Sequence, residues 1–157
     1  MHIYFLQKDD AEQASKLFKD NVEELKYYKP RARKTFEKIY SPKNLQKKIG
    51  KKSYILLVAK DKGLIVGISF CFLDYDVAFR DWTLVQKDYR RKGIGTHLVK
   101  KFESICEKLK IHKIQCDCIK NNKVAIKFLR SLGYRPEAFL KKHWFSQDFI
   151  IWYKFLK

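Results

Sequence analysis

Apolar residues recur along the chain at two spacings, and together they predict a mixed fold. At 11–25 they recur every three or four positions, which is the spacing of one face of an α-helix. The run at 54–59 is instead continuous and of strand length, and a second such run at 64–73 follows Asp61-Lys62-Gly63. Because these three residues are typical of turns, the two runs predict a β-hairpin.

The remaining segments alternate between strand and helix patterns. Further strands are predicted at 2–6, 77–85, 113–119, 134–140 and 148–155, and further helices at 94–109 and 122–132. Asp9 or Asp10 is expected to cap the first helix and Asn121 or Asn122 the last, with Gly133 ending it in a left-handed conformation. Regular alternation appears only in the second half, so the pattern predicts an α/β chain of α+β type with a mixed sheet.

A length of 157 residues predicts a single domain spanning 1–157. Lys and Arg number 35 against 17 acids, a net charge of +18, which favours anionic partners such as nucleic acid, acidic protein or a phosphorylated small molecule. Hydrophobic residues make up 46% of the chain, which excludes a disordered basic tail.

The positive charge is concentrated between Lys26 and Lys52, where eleven cations face one acid, Glu37. Interleaved apolar residues predict an irregular helical region there, with a break at Ser41-Pro42 and a short helix after it. This segment fits a nucleic-acid or acidic partner, and it equally fits a solvated lysine-rich face.

The cysteines predict no metal centre. The spacing Cys116-x-Cys118 is not one that binds zinc, and with Cys71 and Cys106 these residues are expected to be buried, reduced thiols. The longest apolar stretch, at 63–73, is far shorter than the roughly 20 residues of a spanning helix, and the N-terminus lacks a signal-peptide pattern. We therefore expect a cytoplasmic protein without a membrane segment.

The segment at 85–98 carries the clearest chemical signal. A predicted strand runs into a turn with Gly93 and Gly95 and then into a long helix, whose first backbone N–H groups lack intrahelical partners. Arg90, Arg91 and Lys92 add positive charge, so the turn predicts a pyrophosphate site, the alternative being a solvated basic turn. It matches neither the dinucleotide fingerprint nor the P-loop.

This turn and a later helix resemble the GCN5-related N-acetyltransferase (GNAT) superfamily. The family's acetyl-CoA signature, Arg/Gln-x-x-Gly-x-Gly/Ala, stands here as Arg90-Arg91-Lys92-Gly93-Ile94-Gly95, after a strand that ends in Thr83-Leu84-Val85. The residues at 122–134 are similar to its Asn-x-x-Ala helix ending in Leu-Gly-Phe/Tyr, and those at 148–152 to its last strand. The resemblance is sharp at 82–134 and looser elsewhere.

The resemblance implies a fold and a reaction. It implies a mixed central sheet of about six or seven strands, with helices on both faces and a splayed gap between the fourth and fifth strands. It also implies an acetyl-CoA-dependent N-acetyltransferase, in which an amine attacks the thioester directly and no metal takes part. The cofactor-binding positions that the resemblance implies are Thr83, Leu84, Val85, Arg90, Arg91, Lys92, Gly93, Ile94, Gly95, Thr96 and Asn122.

Two acids are candidates for the general base. By the resemblance, Asp117 stands on the fifth strand where some N-terminal acetyltransferases carry a Glu, and Asp81 stands on the fourth strand where other members carry an acid. Each has a structural alternative, since Asp117 could pair with a nearby Lys and Asp81 with Arg80 or another cation. A water relay without either acid is a third possibility.

The expected general acid is missing. The family often places a Tyr four residues before the helix-ending Gly, and here that position is Leu129, with Tyr134 and Tyr89 as possible substitutes. A thiol has a pKa near 8.5, so a thiolate can leave without a designated acid.

The acceptor is not fixed by these motifs. A protein N-terminus, a small acidic amine or an RNA-bound group suits the basic segment better than a polyamine or an aminoglycoside. The alternative function is a nucleic-acid or ribosome-associated binding module on the same fold, with weak or no catalysis.

Overall fold

One mixed sheet organises the computed structural model, which describes residues 2–157. The strands are β1 (His2–Phe5), β2 (Tyr54–Asp61), β3 (Leu64–Asp74), β4 (Val77–Val85), β5 (Lys113–Ile119), β6 (Arg135–Leu140) and β7 (Phe149–Phe155). The helices are α1 (Ala11–Glu24), α2 (Pro30–Ile39), α3 (Pro42–Lys48), α4 (Ile94–Lys108) and α5 (Lys123–Ser131). The strand order is β1-β2-β3-β4-β5-β7-β6, and within residues 2–157 only the β4–β5 pair is parallel. The predicted mixed sheet is confirmed.

The helices cover both faces of the sheet, as predicted. One face, here called the α4 face, packs against α4 and α5 around Phe102, Trp152 and Leu129. The other, the α1 face, packs against α1, α2 and α3 around Phe18, Phe70 and Leu45. A satellite cluster on the same side joins the α1–α2 loop to the β5 and β7 ends.

Several local predictions are confirmed and one is wrong. Pro30 and Pro42 each open a helix within the basic segment, and Gly133 has a φ of 83° after α5. The first helix, however, is not capped by an Asp side chain. A 3₁₀ turn precedes α1, and the Asp10 carboxylate accepts hydrogen bonds from the Gln7 amide (3.4 Å) and the Lys60 ammonium (2.7 Å) instead.

A cleft opens where β4 and β5 part. The two strands pair only over Val77–Phe79 and Lys113–Gln115, whereas β4 continues along β3 to Val85 and β5 continues along β7 to Ile119. A β-bulge adds to the divergence, because the β3 partners step from Arg80 to Trp82 and leave Asp81 unpaired. The implied splay between the fourth and fifth strands is confirmed.

No helix in the described part of the chain, residues 2–157, has the length and apolar character needed to cross a membrane.

Candidate active site

The far half of β4 forms one wall of the cleft. From Arg80 to Val85, apart from the bulged Asp81, its backbone pairs with β3 on one side and has no β5 partner among residues 2–157 on the other. Thr83, Leu84 and Val85 lie on this wall. The Thr83 hydroxyl lies 3.1 Å from that of Ser69 and accepts a hydrogen bond from Arg80 (3.2 Å), so its side chain is held by the protein while the strand edge stays open. An extended chain with amide groups could therefore pair with this edge.

The turn between β4 and α4 exposes a row of backbone amides. Gly93 has a φ of 78° and precedes the first residue of α4, and Arg91 is also left-handed, with a φ of 62°. The first amide of this region that donates to a backbone acceptor is His97, to the Gly93 carbonyl (3.0 Å). The amides of 91–96 have no backbone acceptor within residues 2–157. Together with the α4 dipole, these amides suit a pyrophosphate.

Gly95 is the second residue of α4, and it faces α5. A Cβ atom at this position would contact Phe128 at 3.4 Å and Val85 at 3.8 Å. The absence of a side chain thus leaves open the space beside Val85 and Phe128, between β4, α4 and α5. Ile94 is buried against the sheet, while Thr96 is partly exposed beside the amides.

Arg90 has a role that the sequence did not indicate. Its guanidinium donates to the Val85 carbonyl (3.0 Å), to Asn21 (2.9 Å) and to the Glu24 carboxylate (2.8 Å). These contacts fix the end of α1 to the end of β4. A pyrophosphate contact through Arg90 stays a prediction, and Arg91 and Lys92 are exposed next to it.

Asn122 caps α5, as predicted. Its side-chain oxygen accepts a hydrogen bond from the Ala125 amide at 3.0 Å. The capping places this partly buried side chain at the open end of the cleft, since α5 follows directly after β5.

Asn122→Ala is expected to lower the free energy of unfolding by about 1 kcal/mol, because an unsatisfied helix N-terminus costs that much. Asn121→Ala is the matched control, since Asn121 is the exposed neighbour outside the cap. Urea unfolding of both variants measures the difference. Equal stability of the two variants would contradict the assigned cap.

Asp81 lies on the α1 face and is held there. The Tyr40 hydroxyl donates a hydrogen bond to its carboxylate, and Tyr40 itself stacks on Phe70. Burial raises the pKa of Asp81, while the Tyr40 hydrogen bond and the charge of Lys48 oppose that rise. Asp81 does not pair with Arg80, because Arg80 lies on the other face of the sheet beside Cys116 and Tyr134. The other cation that acts on Asp81 is Lys48.

Asp117 lies on β5, on the same face as Asp81. Burial raises the pKa of its carboxyl to about 7, Asp81 adds to the rise, and Arg80 reduces it. The structure shows no hydrogen bond to this carboxyl from residues 2–157 and no ion pair with a Lys, so that alternative is not observed. A half-buried carboxyl whose pKa is raised to near neutral pH is suited to accept a proton.

Arg80 forms a buried polar cluster on the α4 face. It is 6% exposed, and it donates to Thr83 (3.2 Å) and to the Cys116 sulfur (3.4 Å) above the ring of Tyr134. The Arg80 Nε and the Tyr134 hydroxyl are buried without hydrogen-bond partners in the described chain. One feature of the sequence indicates this cluster, namely that Arg80 and Asp81 stand side by side in an otherwise apolar strand.

The position of the expected general acid is apolar. Leu129 is 3% exposed and packs in the core of the α4 face. Tyr134 is buried beside Arg80, where burial raises the pKa of its hydroxyl, and Tyr89 lies at the turn under the Lys92 ammonium.

The cysteines are structural. All four are free and buried, and Cys118 accepts a hydrogen bond from the Trp152 indole at 3.2 Å. Within residues 2–157 no three His, Cys, Asp or Glu side chains gather as a metal site.

Two loops are joined on the α1 face beside the end of β5. The Gln147 side chain, in the β6–β7 loop, accepts from the Lys29 amide (3.1 Å) and donates to the Tyr27 carbonyl (2.8 Å). Phe145 packs edge-on against Phe36 of α2, with ring centroids 5.6 Å apart. No local pattern indicates this bridge, since its partners are about 120 residues apart.

The fold is shared with several known structures. It superposes on a PaiA N-acetyltransferase from Thermoplasma acidophilum in complex with coenzyme A, at 18% identity, a TM-score of 0.88, and coverage of 99% of this chain and 98% of that one. It also superposes on the ribosomal-protein-S18-alanine N-acetyltransferase of Escherichia coli, at 19% identity and a TM-score of 0.77, with coverage of 99% of this chain and 94% of that one. A third structure is an aminoglycoside 6′-N-acetyltransferase complexed with coenzyme A. It shares 18% identity and a TM-score of 0.73, with coverage of 99% of this chain and 97% of that one. No curated protein is a significant match in sequence.

The fold and the cleft define an acyltransferase of the N-acetyltransferase type. The model of the acetyltransferase (GNAT) family matches residues 17–134, and the chain belongs to this family. The predicted family and enzyme class are thereby confirmed.

Proposed function

We propose that the chain transfers an acetyl group from acetyl-CoA to a primary amine by direct attack on the thioester. The observation that carries this proposal is the cleft itself. The open edge of β4 leads from the free amides of the turn to Asp117, so a binding edge, an anion site and a candidate base lie along one path. Membership of the family and the coenzyme A in two of the neighbours support the same reading.

The residues present fit acetyl-CoA. The amides of 91–96 suit its pyrophosphate, with Arg91 and Lys92 adding charge. The edge of β4 at Thr83–Val85 suits the amides of its pantetheine arm, as an added strand. Gly93 and Gly95 keep side chains away from both surfaces.

The proposed reaction needs two proton transfers, one from the acceptor amine and one to the leaving thiolate. Acetyl-CoA supplies an acyl carbon activated by a thiolate leaving group. The acceptor amine enters on the α1 face, where the Asp117 carboxylate takes its proton, so that a C–N bond forms as the C–S bond breaks. The thiolate receives a proton from water, which its pKa near 8.5 permits.

Isothermal titration with acetyl-CoA tests the binding half of this proposal. We expect a dissociation constant between about 1 µM and 1 mM, which is the usual range for enzyme substrates. ADP is the matched ligand control, because it carries a pyrophosphate without the pantetheine arm and should bind at least tenfold more weakly. An absence of binding at millimolar acetyl-CoA would overturn the proposal.

The acceptor is the least constrained part of the proposal. One neighbour acts on the alanine of a ribosomal protein and another on aminoglycosides, so the fold does not fix the acceptor. The basic α1–α2–α3 region argues for an amine on an anionic molecule, such as an acidic protein N-terminus. The alternative of a nucleic-acid-binding module without catalysis has no support in the family or in these neighbours.

A further inference from the structure

A basic pocket lies beside the proposed acceptor site. It has a volume of about 400 Å³ and is bounded by the α1–α2 loop, the end of β5 and the β6–β7 loop. Three lysines line it, Lys29, Lys120 and Lys142, against one acid, Asp148. The pocket is therefore electropositive.

The single acid is already engaged. Asp148 accepts a hydrogen bond from the Lys142 amide (2.9 Å) and lies 3.8 Å from the Lys120 ammonium. Lys29 and Lys142 have no carboxylate within 4.0 Å among residues 2–157. Two positive charges thus face the pocket without a counter-charge.

The walls of the pocket are fixed to one another. Gln147 lines the pocket, and its side chain joins the β6–β7 loop to the Lys29 amide and to the Tyr27 carbonyl. The packing of Phe145 on Phe36 supports the same closure. The lysines are therefore carried by two loops that are held together before any ligand arrives.

One residue that lines the pocket lies on the same strand as the proposed base. Ile119 lines it, and Ile119 lies two residues beyond Asp117 on β5. Because side chains alternate along a strand, the two residues face the same side, about 7 Å apart at roughly 3.3 Å per residue. An extended peptide covers a similar distance in two residues.

From this geometry we propose that the pocket binds an acidic side chain of the acceptor. The acceptor is a peptide or protein N-terminus whose amine lies at Asp117 and whose second or third residue is Asp or Glu. The carboxylate of that residue lies between Lys29 and Lys142. This inference rests on the proposed acetyltransferase function and adds the class of acceptor.

Matched peptides test the inference. Three peptides of equal length share an N-terminal Ser and differ at the second and third residues, which are Glu-Glu, Gln-Gln or Lys-Lys. Thiol release is followed at saturating acetyl-CoA. We expect kcat/KM to be at least about tenfold higher for the acidic peptide than for the Gln peptide, mainly through KM, and the difference to shrink with added salt.

The double variant Lys29→Gln/Lys142→Gln connects the preference to the pocket. We expect it to lower kcat/KM for the acidic peptide until the acidic and Gln peptides lie within about twofold of each other. The double variant Lys101→Gln/Lys108→Gln is the charge-matched control, because both lysines are exposed on α4, on the other face of the sheet. It should leave the tenfold preference unchanged.

Three results would count against the inference. If acetylation shows no acidic preference, or if the control variant removes that preference as the pocket variant does, the pocket is not the acidic subsite. If free glutamate is acetylated in preference to every peptide, the acceptor class is wrong. If no amine of any kind is acetylated although acetyl-CoA binds, the proposed function itself fails, which is a distinguishable outcome.

Discussion

Asp117→Asn is expected to lower kcat/KM for an amine acceptor by about 100-fold or more, since general-base catalysis contributes that much. The amide keeps the size of the side chain but cannot take the proton of the attacking amine. Asp81→Asn is the matched comparison, because Asp81 lies on the same face but already accepts the Tyr40 hydrogen bond. A large loss with Asp81→Asn and none with Asp117→Asn would reverse the assignment of the base.

The pH profile gives an independent readout of the same residue. The base must be ionised to act, and burial raises the pKa of Asp117 to about 7, so kcat/KM of the wild type should rise with pH through an inflection near that value. The variant should lose this inflection. A second inflection near pH 8, from the α-amino group of a peptide acceptor, should remain in both proteins.

Stability measurements separate lost chemistry from lost folding. The pKa of Asp117 is higher in the folded chain than the usual value near 3.9, so ionising it disfavours the fold, and stability falls as pH rises from about 4 to 7. The substitution Asp117→Asn removes this destabilisation, because the amide does not ionise. Thermal unfolding at pH 8 should show Asp117→Asn to be at least as stable as the wild type, which means that its inactivity would not be due to unfolding.

Elements with a regular pattern could be predicted from the sequence, and long-range partners could not. The bounds of β4 and β5 match the predicted ranges 77–85 and 113–119, because their apolar runs end at clear turn residues. The turn at 90–96 and the cap at Asn122 depend on local residues and were also recognisable. The splay between the strands came from the resemblance, since nothing in the local pattern shows where two paired strands part.

The chemistry of the site depends on contacts across the chain. A local pattern placed Arg90 at an anion site, but its guanidinium binds Asn21 and Glu24, nearly 70 residues earlier. The pKa of Asp117 depends on burial and on Asp81, neither of which has a sequence signal. The basic segment was visible as charge, yet the pocket it helps to form also needs Lys120 and Lys142 from later loops.

Gly95→Val is expected to lower the affinity for acetyl-CoA by about 100-fold, because its branched side chain would stand beside the free amides and press on Phe128. The loss of one or two charge-assisted hydrogen bonds to a phosphate, at roughly 1.5–3 kcal/mol each, accounts for a change of that size. Gly95→Ala is the graded control, since its Cβ would make an ordinary contact with Phe128 at 3.4 Å, and it should cost less than about fivefold. Titration calorimetry measures both variants.

The second variant Phe128→Ala identifies the cause of that loss. If the valine acts by displacing Phe128, then Gly95→Val/Phe128→Ala should recover part of the affinity, because the space vacated by the ring admits the new side chain. If the valine instead blocks the amides directly, the double variant should bind as weakly as Gly95→Val alone. Either result places the pyrophosphate at this turn, whereas a Gly95→Val protein that folds and binds acetyl-CoA within threefold of the wild type would remove the turn from the binding site.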